Sequence, residues 1–429
     1  MNSTVRIVGI VFVFIVASIA WMILGGTMGS RNSEVSSRLD GAVDNLWGSG
    51  QDQRPPDFVF HWTTEREEVR SETTNGKLVK VRNTIVEQHQ KLMPAESTTI
   101  DVKLDSDLRR KGLMWFSLYD AAVSADWTYT HHEPITGTIA VGFAFPTPYG
   151  LYDDFKFVIN GNDYAASLTP TDGRVGMNLT VRPGDKIALH VQYKTRGSDY
   201  WSYTPAQGVL TNFKLSMLTN FPDIDYPSSG LSPSDKARTK DGWQLNWNFT
   251  QVVTGRGIGM LTPTRLQPGE LAAEMAFSAP VSLLFFFVII YVLASLRKIS
   301  IHPFNYLLIA AAFFAFHLLF AYTADRLPVE GAFALASVVS VILVVSYLRL
   351  VVSARFALVE AGLAQLVYLV GFSMAHFAVG FTGLAITILA IITLFLVMQL
   401  TGRVRFREPT ARGPGSVLQS SVPIPTPHA

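Results

Sequence analysis

Six side chains that could carry chemistry fall inside or beside long apolar runs: His302, Asn305, Tyr306, His317, Glu360 and Gln365. A polar group at membrane depth is costly, so each needs a reason. His317 sits in the middle of Phe313-Phe-Ala-Phe-His-Leu-Leu319. An imidazole there could relay a proton or hold a ligand. The plainer role is a neutral ring hydrogen-bonded to a neighbouring helix, with Asn305 and Gln365 as candidate donors and acceptors. Glu360 lies near the end of its run, and pairing with Arg355 or Arg349 is expected there rather than ion conduction. In His302-Pro303 the proline suits a first helical turn, where its missing N–H is not needed. That explains Pro303 but neither His302 nor Tyr306.

Two further groups lie in the polar part of the chain. His131-His132-Glu133, with His61, His89 and His190, contains metal-ligand types. Adjacent strand residues point to opposite faces, so one strand cannot offer both histidines to one ion. With no second ligand cluster, no metal is expected. Tyr200-Trp201-Ser202-Tyr203 could stack a sugar ring; its plainer role is core packing. The same region holds Trp62, Trp115, Trp127, Trp201, Trp243 and Trp247, so a ligand-binding aromatic patch stays open.

Composition narrows the classes. The chain has 429 residues, formal net charge +2 and no cysteine, and its mean hydropathy is +0.26. Positive hydropathy at this length fits a membrane protein with a polar portion. Balanced charge gives no sign of nucleic-acid binding. Without cysteine there are no disulfides, thiol nucleophiles or thiolate metal sites. No hydrolase elbow, P-loop, zinc-protease helix or dinucleotide fingerprint occurs. Gly255-Arg-Gly-Ile-Gly259 lacks the strand-to-helix setting a nucleotide loop needs. No cofactor and no catalytic activity are expected.

The elements that must position these residues follow from periodicity. An apolar run from Ile7 to about Gly26 reads as an uncleaved transmembrane anchor, residues 1–29. Residues 30–276 read as an all-β, sandwich-like domain of about ten short strands. Thr98–Asp105 and Lys186–Tyr193 alternate apolar and polar with period two. Asn160-Gly161, Thr171-Asp-Gly173 and Pro183-Gly184-Asp185 mark turns. Within this region Glu34–Trp47 reads as a helix with Ser33 as its N-cap. Residues 277–402 read as five more spans: Phe277–Leu296, Pro303–Tyr322, Gly331–Leu348, Phe356–Met374 and Val379–Gln399. The fold class is thus a polytopic six-helix bundle carrying a large extracytoplasmic β domain. Residues 403–429, rich in Arg, Pro and Ser, read as a disordered cytoplasmic tail.

Eight Lys and Arg residues flank alternate ends of the later spans, against Arg326 alone at the opposite ends. The basic side should be cytoplasmic, which puts both termini inside and residues 30–276 outside. Pro280-Val-Ser-Leu-Leu-Phe-Phe-Phe287, His302-Pro-Phe-Asn-Tyr-Leu-Leu308 and the ending Thr401-Gly-Arg-Val-Arg405 resemble the CreD family of inner-membrane proteins. The resemblance covers the membrane block and the topology. It implies a bacterial inner-membrane protein of cell-envelope integrity, with no settled catalytic activity. The β domain would then bind or sense an envelope protein or glycan, with the lipid bilayer as the other partner; the oligomeric state is open. The alternative is a transporter or flippase, which predicts a polar cavity lined by His317, Asn305, Gln365 and Thr387. No carboxylate falls at mid-span, which weighs against it.

Overall fold

A computed structural model describes residues 3–74, 77–206, 208–228, 230–378 and 380–402. The predicted tail, residues 403–429, lies outside them. The chain forms two compact units, one of residues 1–27 with 272–429 and one of residues 28–271.

The helical unit contains or begins six helices long and apolar enough to cross a membrane. They are α1 (Ser3–Trp47), α2 (Pro268–Leu296), α3 (Pro303–Thr323), α4 (Val329–Val351), α5 (Phe356–Phe377) and α6 (Thr382–Thr401). The expected anchor and the expected Glu34–Trp47 helix are one continuous element. Ser33 therefore caps nothing; it lies inside α1, where its carbonyl accepts the Ser37 hydroxyl at 2.9 Å. Gly25 does not break α1. A Cβ there would stand 2.9 Å from the Phe277 ring of α2, so the small residue serves close helix packing. Gly9 meets Pro303 of α3 in the same way, at 2.9 Å. In α5 the α-helical register is interrupted by two π-helical segments, Phe356–Ala361 and Leu366–Gly371. On α6 only Thr393 is buried.

The second unit is built on fifteen strands. They are β1 (Gln51–Gln53), β2 (Asp57–Thr74), β3 (Lys77–Met93), β4 (Ser97–Lys111), β5 (Met114–Thr130), β6 (Gly137–Ala144), β7 (Tyr152–Ile159), β8 (Asn162–Asp163), β9 (Arg174–Val181), β10 (Lys186–Ser198), β11 (Tyr200–Tyr203), β12 (Gly208–Thr219), β13 (Asp235–Arg238), β14 (Trp243–Thr254) and β15 (Ile258–Leu261). An eight-stranded sheet runs β13-β14-β12-β4-β5-β10-β7-β8, a four-stranded sheet β3-β2-β6-β9 and a three-stranded sheet β1-β11-β15. The expectation of short strands fails for β2 to β5, which have 18, 17, 15 and 17 residues. The turn signals hold. Asn160 and Gly161 take φ of 49° and 86° between β7 and β8. Asp172 and Gly173 take 49° and 70° in the turn that closes Thr171 onto Arg174.

Alternation sets the core. Ile100, Val102 and Leu104 of β4 and Val123, Ala125 and Trp127 of β5 share one cluster with Phe58 and Phe60 of β2, Val141 and Phe143 of β6, and Trp201 and Met260 of the small sheet. The opposite phase of β4 and β5, including Asp101, Lys103, Ala122 and Ser124, makes the outer face of the large sheet.

Candidate functional sites

Along the bundle, polar side chains pair helix to helix. The Asn305 carbonyl oxygen on α3 accepts the Tyr347 hydroxyl of α4 at 2.8 Å. The Gln365 amide of α5 donates to Ser340 of α4 at 2.9 Å, and Ser340 donates to the Ala312 carbonyl of α3 at 2.9 Å. Three helices are thus tied by one relay. Thr393 of α6 donates to the Tyr368 hydroxyl at 3.1 Å, and Ser278 pairs with His376 at 3.0 Å. Ser340, Tyr347 and His376 were missed from sequence. Serine and tyrosine in apolar runs are too common to stand out, and His376 falls beside the connection to α6.

His317 departs from its expected role. It is 2% exposed, but its ring bonds its own helix: Nδ1–H donates to the Phe313 carbonyl at 3.0 Å. That assignment leaves Nε2 as a lone pair. Nε2 is buried without a partner among the described residues, and so is the indole nitrogen of Trp21 on α1. The Trp21 and His317 rings meet edge to face, with centroids 5.7 Å apart. Phe316 stands at 4.9 Å on another side.

The remaining expected residues resolve simply. His302 is the N-cap of α3: its Nδ1 accepts the Phe304 N–H at 3.2 Å, with Pro303 in the first turn. Tyr306 is buried edge-on to Phe287 at 5.1 Å. Glu360 pairs with Arg297 at the end of α2, not with Arg355 or Arg349. Helix-to-helix proximity decided this; sequence proximity did not. Thr387 is exposed on α6 and bonds back to Gly383. Asn305 and His317 are twelve residues apart on one helix, about 18 Å along its axis. His317, Asn305, Gln365 and Thr387 make separate contacts and are not gathered at one point.

In the β unit, Trp201 and Tyr203 are fully buried in the small sheet and only Tyr200 reaches the surface. They cannot offer a stacking platform; the Tyr200 carbonyl instead accepts the Tyr119 hydroxyl at 2.9 Å. His131 is buried, receiving the Tyr129 hydroxyl on Nδ1 and donating from Nε2 to the Ile135 carbonyl, both at 2.9 Å. His132 is exposed and meets Glu96 at 2.7 Å. His89 bonds Thr64 and stacks on Trp62, while His190 meets Asp126. Among the described residues no group of His, Cys, Asp and Glu is placed to hold a metal ion.

The outer face of the large sheet carries a feature that the sequence reading missed. Two adjoining hollows of about 320 and 350 Å³ share Lys103, Ala122 and Lys194. Register builds them. Ala122 of β5 lies between Lys103 of β4 and Lys194 of β10, and Ser124 between Asp101 and Gln192. Small side chains on the central strand make a floor, and longer polar ones on its neighbours make walls. Gln244 closes one end, its amide bonded to Ser216 at 2.6 Å. Asp120, Asp153 and Arg196 line the other hollow. Lys194 is held by Asp154 at 2.7 Å. That bond raises the lysine's pKa and lowers the aspartate's, so both stay charged near neutrality. Glu96, near the start of β4, has its pKa lowered chiefly by the Thr130 hydroxyl at 2.7 Å, with His132 adding to it. The available signal for the trough was the pair of small residues in the polar phase of β5.

Residues 278–407, under a third of the chain, match the family model described as inner membrane protein CreD. Over these residues the chain is similar to that family. The matched segment takes in α3 to α6 and most of α2, with the His302 cap and every interhelical polar contact described above. No curated protein matches the chain. Among solved structures, one provisionally described as a nutrient binding protein of Legionella pneumophila is similar at 11% identity and TM-score 0.30. The match covers 44% of this chain and 73% of that one.

Proposed function

We propose that this is a non-enzymatic envelope-integrity protein of the inner membrane, whose β domain binds a polar envelope glycan in the trough across β4, β5 and β10. The trough carries the reading. Its lining mixes amides, hydroxyls, ammonium groups and carboxylates around a floor of Ala122 and Ser124. Such a lining offers several hydrogen-bonding and charged partners to a ligand rich in hydroxyl, amide and carboxylate groups. The CreD match of the helical block and its six apolar helices support the membrane setting. The excess of Lys and Arg at alternate helix ends supports a periplasmic β domain and cytoplasmic termini.

The test uses the full chain in detergent and soluble peptidoglycan fragments, with binding followed by calorimetry. The parent protein should bind. Ala122→Trp and Ser124→Trp fill the floor from the outer face of the sheet and, with circular dichroism matching the parent's, should weaken binding at least tenfold. No binding by the parent, or equal binding by both variants, sinks the proposal.

A further inference from the structure

Among the described residues, the hairpin of β2 and β3 has no third strand beyond its base. β2 pairs with β6 only over Asp57–His61. The thirteen residues Trp62–Thr74 then pair solely with Lys77–His89 of β3, itself the edge of its sheet. Among the described residues, no strand pairs with either outer edge of this ribbon. Where side chains are described, over Thr63–Arg70 and Arg82–Val86, neither face is covered: Val69 is 51% exposed and Val86 56%, and Glu65, Arg66, Glu67, Arg82 and Thr84 are exposed. A two-stranded ribbon is marginal in water on its own, and unpaired edges template further strands.

The two edges differ in sign. Over Trp62–Thr74, Glu65, Glu67, Glu68 and Glu72 face Arg66 and Arg70, a net −2. Over Lys77–His89, Lys77, Lys80 and Arg82 face Glu87, a net +2 with histidine neutral. The described ion pair across the strands is Arg66 with Glu87 at 3.9 Å; Arg70 bonds Glu68 on its own strand. Charge on an edge normally discourages pairing. Here it discourages only like with like. An acidic edge against another acidic edge is repelled, as is basic against basic, whereas acidic against basic is attractive and equal in length.

We propose that the ribbon pairs with the ribbon of a second copy of this chain, the β2 edge of one against the β3 edge of the next. Such a contact is head-to-tail, so it repeats: it closes a ring or extends a row. Copies anchored in one bilayer meet at high effective concentration, which favours a contact too weak to hold in dilute solution.

The absence of cysteine makes the test clean. Full-length Glu67→Cys and Asn83→Cys chains, carrying different tags, are reconstituted together in phosphatidylethanolamine and phosphatidylglycerol vesicles and treated with a short bismaleimide. The mixed-tag product should exceed either self-product several-fold. Glu65→Lys with Glu67→Lys and Glu68→Lys should abolish self-association of an otherwise parental chain. Mixing that chain with one carrying Lys77→Glu, Lys80→Glu and Arg82→Glu should restore it. Self-products equal to the mixed product, or monomers alone throughout, overturn the proposal.

Discussion

A histidine at the depth of His317 invites a proton-relay role, but its contacts argue for packing. Its one hydrogen bond stays within α3, and its other nitrogen is buried with no partner. Replacing it with a ring of similar size removes a desolvated lone pair and sacrifices no interhelical bond. His317→Phe should therefore leave the melting temperature in detergent unchanged or raised, and envelope function intact. Gln365→Leu, which cuts the relay to Ser340, should cost about 1 kcal/mol. Loss of function in His317→Phe with unchanged stability would restore the relay role. Single residues were unevenly legible. Pro303 announced its helix start because proline's chemistry is local. The partner of Glu360 was not legible, because Arg297 reaches it only once α2 lies beside α5.

At the scale of elements, Glu96 joins three strands near the start of β4. Its carboxylate accepts from Thr130 and meets His132, while its carbonyl accepts from Thr211 and Asn212 of β12. A carboxylate with a lowered folded pKa stabilises above its unfolded value, and that contribution fades as pH falls through the folded one. Glu96→Gln should thus be less stable than the parent at pH 7, by roughly 0.5–1 kcal/mol given its solvent exposure. The deficit should narrow below about pH 4, which melts at both pH values will show; a deficit independent of pH would refute the ionic account. Strand identity was legible wherever alternation was clean, as in β4 and β10. The length of β2 and β3 was not, because Thr63–Arg70 and Arg82–Val86 have no buried face to impose a pattern. In α5 the two π-helical segments shift the helical phase, so a regular 3.6-residue reading misassigns its faces.

For the whole molecule, alternating charge predicts the orientation. A reporter active only in the periplasm should work when fused after Arg326 and fail after Lys298; the reverse pattern would invert the topology. The number of spans was legible because the length of an apolar run is set by the bilayer. The trough was not, since it needs the register of β10, which begins at Lys186, against the β4–β5 hairpin, which ends at Thr130.

The single buried residue of α6 bears on how the bundle is made. The chain enters the bilayer from its N-terminal end, and by the time α5 is in place the relay through Ala312, Ser340 and Gln365 has all its members. The last helix then adds one interhelical hydroxyl contact among the described residues, Thr393 on Tyr368, and Thr393 is its one buried residue. The hydrogen-bonded ties among α3, α4 and α5 therefore do not depend on the final span.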